Sequence, residues 1–156
     1  MSTTASEPES HERIVVGVDG SASAHVALIW AVRQAELSGA PLTVLTTWEY
    51  PTNYGYPVAW PEDLDFAADA KTVLEAAVEE VRNAHPEIVI TATVAEGHPS
   101  LVLVDESTSA GLVVVGSRGH GEFAGMLLGS VSEFVATHAH CPVVIVRGVE
   151  EAKPAS

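Results

Sequence analysis

Short runs of β-branched and aliphatic residues alternate along the chain with longer stretches in which apolar positions recur every three or four residues. A short run that is apolar throughout marks a strand buried on both faces, whereas the longer period marks a helix with one apolar stripe. The runs are Ile14 to Val18, Leu42 to Thr47, Ile88 to Val94, Leu112 to Val115 and Val143 to Val146. All but the third read as fully buried. The third ends in alternation, Thr91-Ala92-Thr93-Val94, as a strand nearer a sheet edge does.

Between the first two runs, Ser21 to Ser38 carries Ala24, Leu28, Ala31 and Ala35 on one stripe, with Gly39 placed as a C-cap. A second helix sets Ala70, Val73, Leu74, Ala77, Val78 and Val81 against Lys71, Glu75, Glu79, Glu80 and Arg82, and Pro86 ends it. Pro99 suits the first turn of a third helix running to about Ser109. The fourth begins at Ser130, where Ser130-Val131-Ser132-Glu133 matches a capping box. Strands alternating with helices predict an α/β fold, a parallel sheet with helices on both faces.

A chain of 156 residues holds one domain, expected over residues 13–148. The flanking stretches 1–12 and 149–156 carry Pro, Ser and Glu without periodicity and are expected to be disordered tails. Seven Lys and Arg against twenty-one Asp and Glu give a net charge of −14, which repels nucleic acid and anionic membranes, so neither is expected as a partner. No apolar run is long enough to span a bilayer, and the first dozen residues lack a signal-like apolar region. The single cysteine, Cys141, excludes an internal disulfide. These features together point to a cytoplasmic protein.

The chemistry concentrates after the fourth strand, in Gly116-Ser117-Arg118-Gly119-His120-Gly121 and on to Gly125 and Gly129-Ser130. Glycines at the carboxyl end of a strand let backbone N–H groups approach phosphate oxygens, and the start of the fourth helix adds donors and a favourable dipole. The segment has no lysine, so it is not a Walker loop. Gly119 to Ala124 satisfies the Rossmann G-x-G-x-x-[GA] string, but that signature belongs to the first strand–helix turn and needs an acidic residue about 20 positions on. Here Thr137 to Val149 contains none.

A third pattern fits without a gap: Gly116, two residues, Gly119, nine residues, Gly129, then Ser130. With Val15-Val16-Gly17-Val18-Asp19-Gly20-Ser21, the Gly97-His98-Pro99 turn, Val113 to Gly119 and the closing Cys141-Pro142-Val143-Val144-Ile145-Val146-Arg147, it resembles the nucleotide-binding signature of the universal stress protein family. The resemblance covers nearly the whole chain. It implies an adenine nucleotide alpha-hydrolase-like, Rossmann-like fold with five parallel strands in the order 3-2-1-4-5 and ATP across the carboxyl edge, with Mg²⁺ expected beside the phosphates. It also implies roles: Gly17 and Asp19 flank the nucleoside, the Thr47 backbone meets adenine, and Gly116, Ser117, Arg118, Gly119, Gly129, Ser130 and Val131 hold ribose and phosphates.

Several residues keep two readings. Asp19 is a turn cap beside Gly20 and Ser21, or a carboxylate that meets the nucleoside or a hydrated Mg²⁺. Arg118 reads as a phosphate contact and His120 is open. His138 and His140 have strand-type metal spacing, but His138 falls near a helix end where an imidazolium complements the dipole, so no metal site is expected. Trp48, Tyr50, Tyr54, Tyr56 and Trp60 alternate with Pro51, Pro57 and Pro61, a loop suited either to a lid over the base or to a subunit contact. Val143 to Val146 falls at a sheet edge in the implied order, which favours a homodimer. No lysine or nucleophile–base pair equips the pocket for catalysis. The expected function is therefore an ATP-binding regulatory or stress-response module with no catalytic residues, the alternative being a weak ATPase or phosphotransfer enzyme in the same pocket.

Overall fold

The computed structural model describes residues 12–50, 52–53, 56–57, 64–118 and 128–148. Strand β1 (Ile14–Gly17) leads through α1 (Ala22–Ser38) to β2 (Leu42–Trp48), followed by the two-residue strands β3 (Thr52–Asn53) and β4 (Tyr56–Pro57). Then come α2 (Phe66–Ala84), β5 (Ile90–Glu96), α3 (Pro99–Ser107), β6 (Leu112–Gly116), α4 (Ser130–His138) and β7 (Val143–Val146). The main sheet is parallel in the order β5-β2-β1-β6-β7, which is 3-2-1-4-5 when its own strands are counted. Ile14 lies opposite both Leu42 and Leu112, and Val113 opposite Val143.

Period-two alternation splits the strand side chains between two cores. Ile14, Val16, Leu42, Val44 and Val114 pack under α1 and α2. Val15, Leu45, Val113 and Val115 pack under α3 and α4 with Leu103 and Val135. The expected stripe of α1 is buried, and its ends are set by local chemistry. Ser21 Oγ accepts the Ala24 N–H at 3.1 Å, and Gly39, at φ 77°, closes the helix with its N–H on the Ala35 carbonyl. Asp65 caps α2 by accepting the Ala68 N–H at 3.0 Å, and Pro99 occupies the first turn of α3.

The structure corrects the sequence reading in three places. The capping box at Ser130 does not form: Gly129 is the N-cap and no side chain caps α4. The Gly129 N–H is drawn onto the Ser117 carbonyl at 2.6 Å, which starts the helix one residue early. Ser132, instead of assisting a cap, turns its hydroxyl back to donate to the Ser117 and Gly129 carbonyls. Strand β5 begins at Ile90, two residues later than expected, because Ile88 is still in the turn that follows α2, its N–H on the His85 carbonyl at 3.2 Å. Residues Val143–Val146 are only partly buried, since among the described residues β7 has a neighbouring strand on one side alone.

Arg13 fastens the amino edge of the sheet. Its guanidinium donates to Thr43 Oγ1, the Glu106 carbonyl and Ser109 Oγ at 3.2, 3.3 and 3.0 Å, and it lies 3.5 Å from the Glu106 carboxylate. No helix among the described residues is long and apolar enough to cross a membrane. The expected tails lie outside the described residues apart from Glu12, as do Pro51, Tyr54, Trp60 and Pro61 of the aromatic loop. What is described of that loop is the antiparallel β3–β4 pairing, Thr52 opposite Pro57.

Candidate functional site

After β1 the chain leaves into α1 on one face of the sheet, whereas after β6 it reaches α4 on the other. Diverging connections from neighbouring strands open a crevice at their carboxyl ends, the usual ligand position in an open α/β sheet. A cleft of about 380 Å³ lies there. That volume falls within the ~300–1,000 Å³ range of small-molecule sites.

Most residues expected at the site line this one cleft. Gly17 and Asp19 come from the end of β1, Thr47 from β2, Gly116 and Arg118 from the end of β6, and Gly129, Ser130 and Val131 from the start of α4. Ser117 does not line it. Ser117 is buried beside the cleft and acts through its backbone, its N–H donating to the Val146 carbonyl while its carbonyl accepts the Gly129 N–H and the Ser132 hydroxyl. Those bonds join both ends of the glycine loop to each other and to β7. Gly119 and His120 lie outside the described residues.

Asp19 serves the local turn, since Oδ1 accepts the Ser21 N–H at 2.9 Å where Gly20 takes φ 84°. The same exposed side chain stands at the cleft, so the capping and ligand roles are compatible. At Thr47, ladder alternation decides which way the backbone faces. Val18 N–H bonds the Leu45 carbonyl on the β1 side, while the Trp48 carbonyl accepts Gly97 N–H on the β5 side. Thr47 shares the parity of Leu45, so its N–H and C=O face the β1 side, two positions past the last β1 pair, Gly17 with Leu45.

Gly116 has a reason beyond ligand approach. A Cβ there would meet the Ser23 hydroxyl first and would lie 2.7 Å from the Ser23 carbonyl oxygen and 2.8 Å from its carbon, so the first turn of α1 sits where a side chain would be. Ser23 also accepts the Arg118 N–H on its hydroxyl at 3.2 Å, which fixes the chain as it enters the loop.

Sequence reasoning missed the apolar and structural parts of the site. Leu45, Leu103 and Val115 form the floor and belong equally to the second core, so no sequence signal separates them from ordinary packing. Gly97 and Pro99 form a wall; the Gly97-His98-Pro99 turn was the available clue. Glu49 adds a carboxylate at the cleft, and Ser132 is a further lining residue whose hydroxyl is committed to the loop. Trp48 joins Tyr50 and Phe66 in successive edge-to-face contacts with ring centroids 5.2 and 5.8 Å apart, linking the cleft to the start of α2.

Comparison with known proteins agrees with this geometry. The model of the universal stress protein family matches residues 10–147. A universal stress protein of Mycobacterium tuberculosis is 40% identical over 153 residues, covering 90% of this chain and 49% of its own length. A homologue from Mycolicibacterium smegmatis is 36% identical over 140 residues, covering 89% and 47%. The chain thus spans about half the length of these curated relatives. Among solved structures, a universal stress protein in complex with cAMP superposes with a TM-score of 0.66 at 30% identity, covering 89% of this chain and 98% of that one. The Archaeoglobus fulgidus universal stress protein in complex with dAMP gives 0.63 at 26% identity, covering 86% and 97%. The chain belongs to the universal stress protein family.

Proposed function

We propose that this protein is an adenine-nucleotide-binding regulatory module whose ligand is ATP with Mg²⁺. The observation that carries the reading is the convergence of the β1, β2 and β6 ends and the α4 start on one cleft, with an apolar floor and a helix N-terminus in its wall. Two relatives of similar fold are described in complex with cAMP and dAMP, both adenine nucleotides.

The donor set suits such a ligand. The backbone and dipole at the start of α4, with Arg118, suit phosphates, and the extra charge of a triphosphate suits them better than a monophosphate. Leu45, Leu103 and Val115 offer the purine and ribose an apolar floor, and Thr47 presents an amide donor and acceptor toward the base. Gly17 and Asp19 flank the ribose, and the Asp19 carboxylate is also suited to a hydrated Mg²⁺. The proposed phosphate-holding set includes Gly119, which lies outside the described residues. The partly buried edge strand β7 supports pairing with a second copy through Val143–Val146, and a cytoplasmic location is part of the same proposal.

Calorimetric titration of nucleotide-stripped protein with ATP, ADP, AMP and cAMP, each with and without Mg²⁺, tests this. One site per chain, lost in a folded Gly119→Ala/Gly129→Ala variant, is the expected outcome. Absence of binding to any adenine nucleotide by the folded parent refutes it. A phosphate-release assay on the same samples distinguishes a regulatory module, which retains bound ATP, from a hydrolase.

A further inference from the structure

Three potential metal ligands converge at the amino edge of the α1–α2 layer, the end of α1 remote from the cleft. They are Glu36 in the last turn of α1, His85 at the C-cap of α2, and Glu87 in the turn that leads to β5. Their ligand atoms all lie within 4.8 Å of one another. Glu36 lies twelve residues along α1 from Ala24 at the cleft, about 18 Å at about 1.5 Å per residue.

His85 Nδ1 is 2.8 Å from Glu36 Oε2 and 3.9 Å from Glu87 Oε1. A ring nitrogen carries at most one proton, so one hydrogen bond serves Glu36 while a second carboxylate faces the same nitrogen. Even a protonated imidazole leaves one negative charge in excess among these three side chains. The neighbouring His25–Glu80 pair, also 2.8 Å, joins the same two helices with a single carboxylate, which is what an ordinary interhelical ion pair requires. The third ligand is therefore unexplained by helix packing.

The surroundings favour a cation further. Helices α1 and α2 both end here, and helix C-termini carry partial negative charge. Glu36 is the wrong sign for the end of α1, which has no basic residue in its last turn. The two ligands beyond α2 are held by the turn itself: His85 N–H bonds the Val81 carbonyl at 2.7 Å, Pro86 lies between the ligands, and Ile88 N–H returns to the His85 carbonyl. Arg33 and Arg82 are the cations these elements carry nearby, Arg33 lining the same groove as Glu36 and His85.

We propose that Glu36, His85 and Glu87 form a surface site for a first-row divalent transition cation of the zinc type. Ligand bonds of about 2.0–2.2 Å in tetrahedral geometry put neighbouring donor atoms about 3.3 Å apart, and the 2.8 and 3.9 Å separations bracket that value. One imidazole with two carboxylates suits zinc better than magnesium, which prefers oxygen donors alone. Water completes the coordination on the solvent side. Bound metal replaces the proton between Nδ1 and Glu36, with the imidazole holding its remaining proton at Nε2, and links α1 to the α2–β5 turn.

The test is titration of zinc alone into untagged, chelator-treated protein at neutral pH, with circular dichroism confirming that every variant is folded. The parent binds one zinc ion at this site. His85→Ala and Glu87→Gln each weaken that binding by about tenfold or more, the scale seen for disturbed metal shells. Glu80→Gln and His138→Ala leave it unchanged. Glu87→Gln is decisive because it preserves the His85–Glu36 bond: unchanged zinc affinity in that variant overturns the proposal. So does a parent that binds no zinc, or binding lost with His138→Ala.

Discussion

Gly116 reads in the sequence as a phosphate-loop glycine, yet the structure gives it a packing duty that can be tested without nucleotide. Gly116→Ala places a methyl carbon 2.8 Å from the Ser23 carbonyl carbon and 2.7 Å from its oxygen. Favourable carbon–carbon separations are about 3.5–4.0 Å, so at least about 0.7 Å must be recovered by moving backbone. Neither partner yields easily. Helix α1 is held by its Ser21 cap and by buried Ala24, Ala27 and Leu28, and β6 lies between β1 and β7 in the sheet. Overpacking costs about 1–3 kcal/mol, and with rigid backbone on both sides the upper half of that range applies.

Equilibrium urea unfolding without nucleotide measures the loss. With an m-value of about 2 kcal/mol/M, a loss of about 2–3 kcal/mol moves the midpoint down by roughly 1–1.5 M. A second variant identifies the atom responsible. Ser23→Ala removes the acceptor of the Arg118 N–H and costs about 1 kcal/mol by itself. The double variant Gly116→Ala/Ser23→Ala removes the Ser23 hydroxyl, the atom nearest the added methyl, but keeps the carbonyl, so its stability stays below that of Ser23→Ala alone. Full recovery of the double variant to the Ser23→Ala level would assign the clash to the hydroxyl alone, and a midpoint for Gly116→Ala within about 0.25 M of the parent would refute the packing argument.

Three further outcomes follow from the structure. Arg118→Gln is expected to weaken ATP about five- to tenfold, the discounted value of a charged hydrogen bond at an exposed side chain, while adenosine is little affected; calorimetry at two salt concentrations checks it. Ser21→Ala removes the acceptor of the Ala24 N–H and lowers stability by about 1 kcal/mol in urea unfolding. Burial raises the Cys141 thiol pKa, so at neutral pH its thiolate fraction falls and iodoacetamide labels it more slowly than a solvated cysteine peptide. Because the folded thiol holds its proton to higher pH than the unfolded one, its contribution to stability is present below the unfolded pKa and is lost as pH rises through the folded one.

Much of the fold was legible because its signals are local. The all-apolar runs, the alanine stripe of α1 and Gly39 each report a constraint contained within a few residues. The errors arose where a distant group competes for the same atoms. Ser130 to Glu133 spells a capping box, but the Ser117 carbonyl, remote in sequence, takes the Gly129 N–H and the Ser132 hydroxyl. Ile88 is apolar for the core, as a strand residue would be, but reaches it from a turn. Val143–Val146 reads as a fully covered strand because its sequence carries no mark of having only one neighbour.

The site was legible to the extent that it depends on backbone. Glycines announce close approach, and those at positions 17, 116 and 129 do converge on the cleft. Glycine does not announce what approaches. At Gly116 the structure answers Ser23, so the first turn of α1 and the loop entrance share one fixed contact, reinforced by the Arg118 N–H on the Ser23 hydroxyl. The floor residues Leu45, Leu103 and Val115 are unreadable for the opposite reason, since a purine platform and a hydrophobic core require the same side chains. The His85–Glu87 cluster shows the limit from another side. Its ligands come from the end of one helix and the turn after the next, so their convergence is a property of how α1 and α2 pack and of no spacing within either.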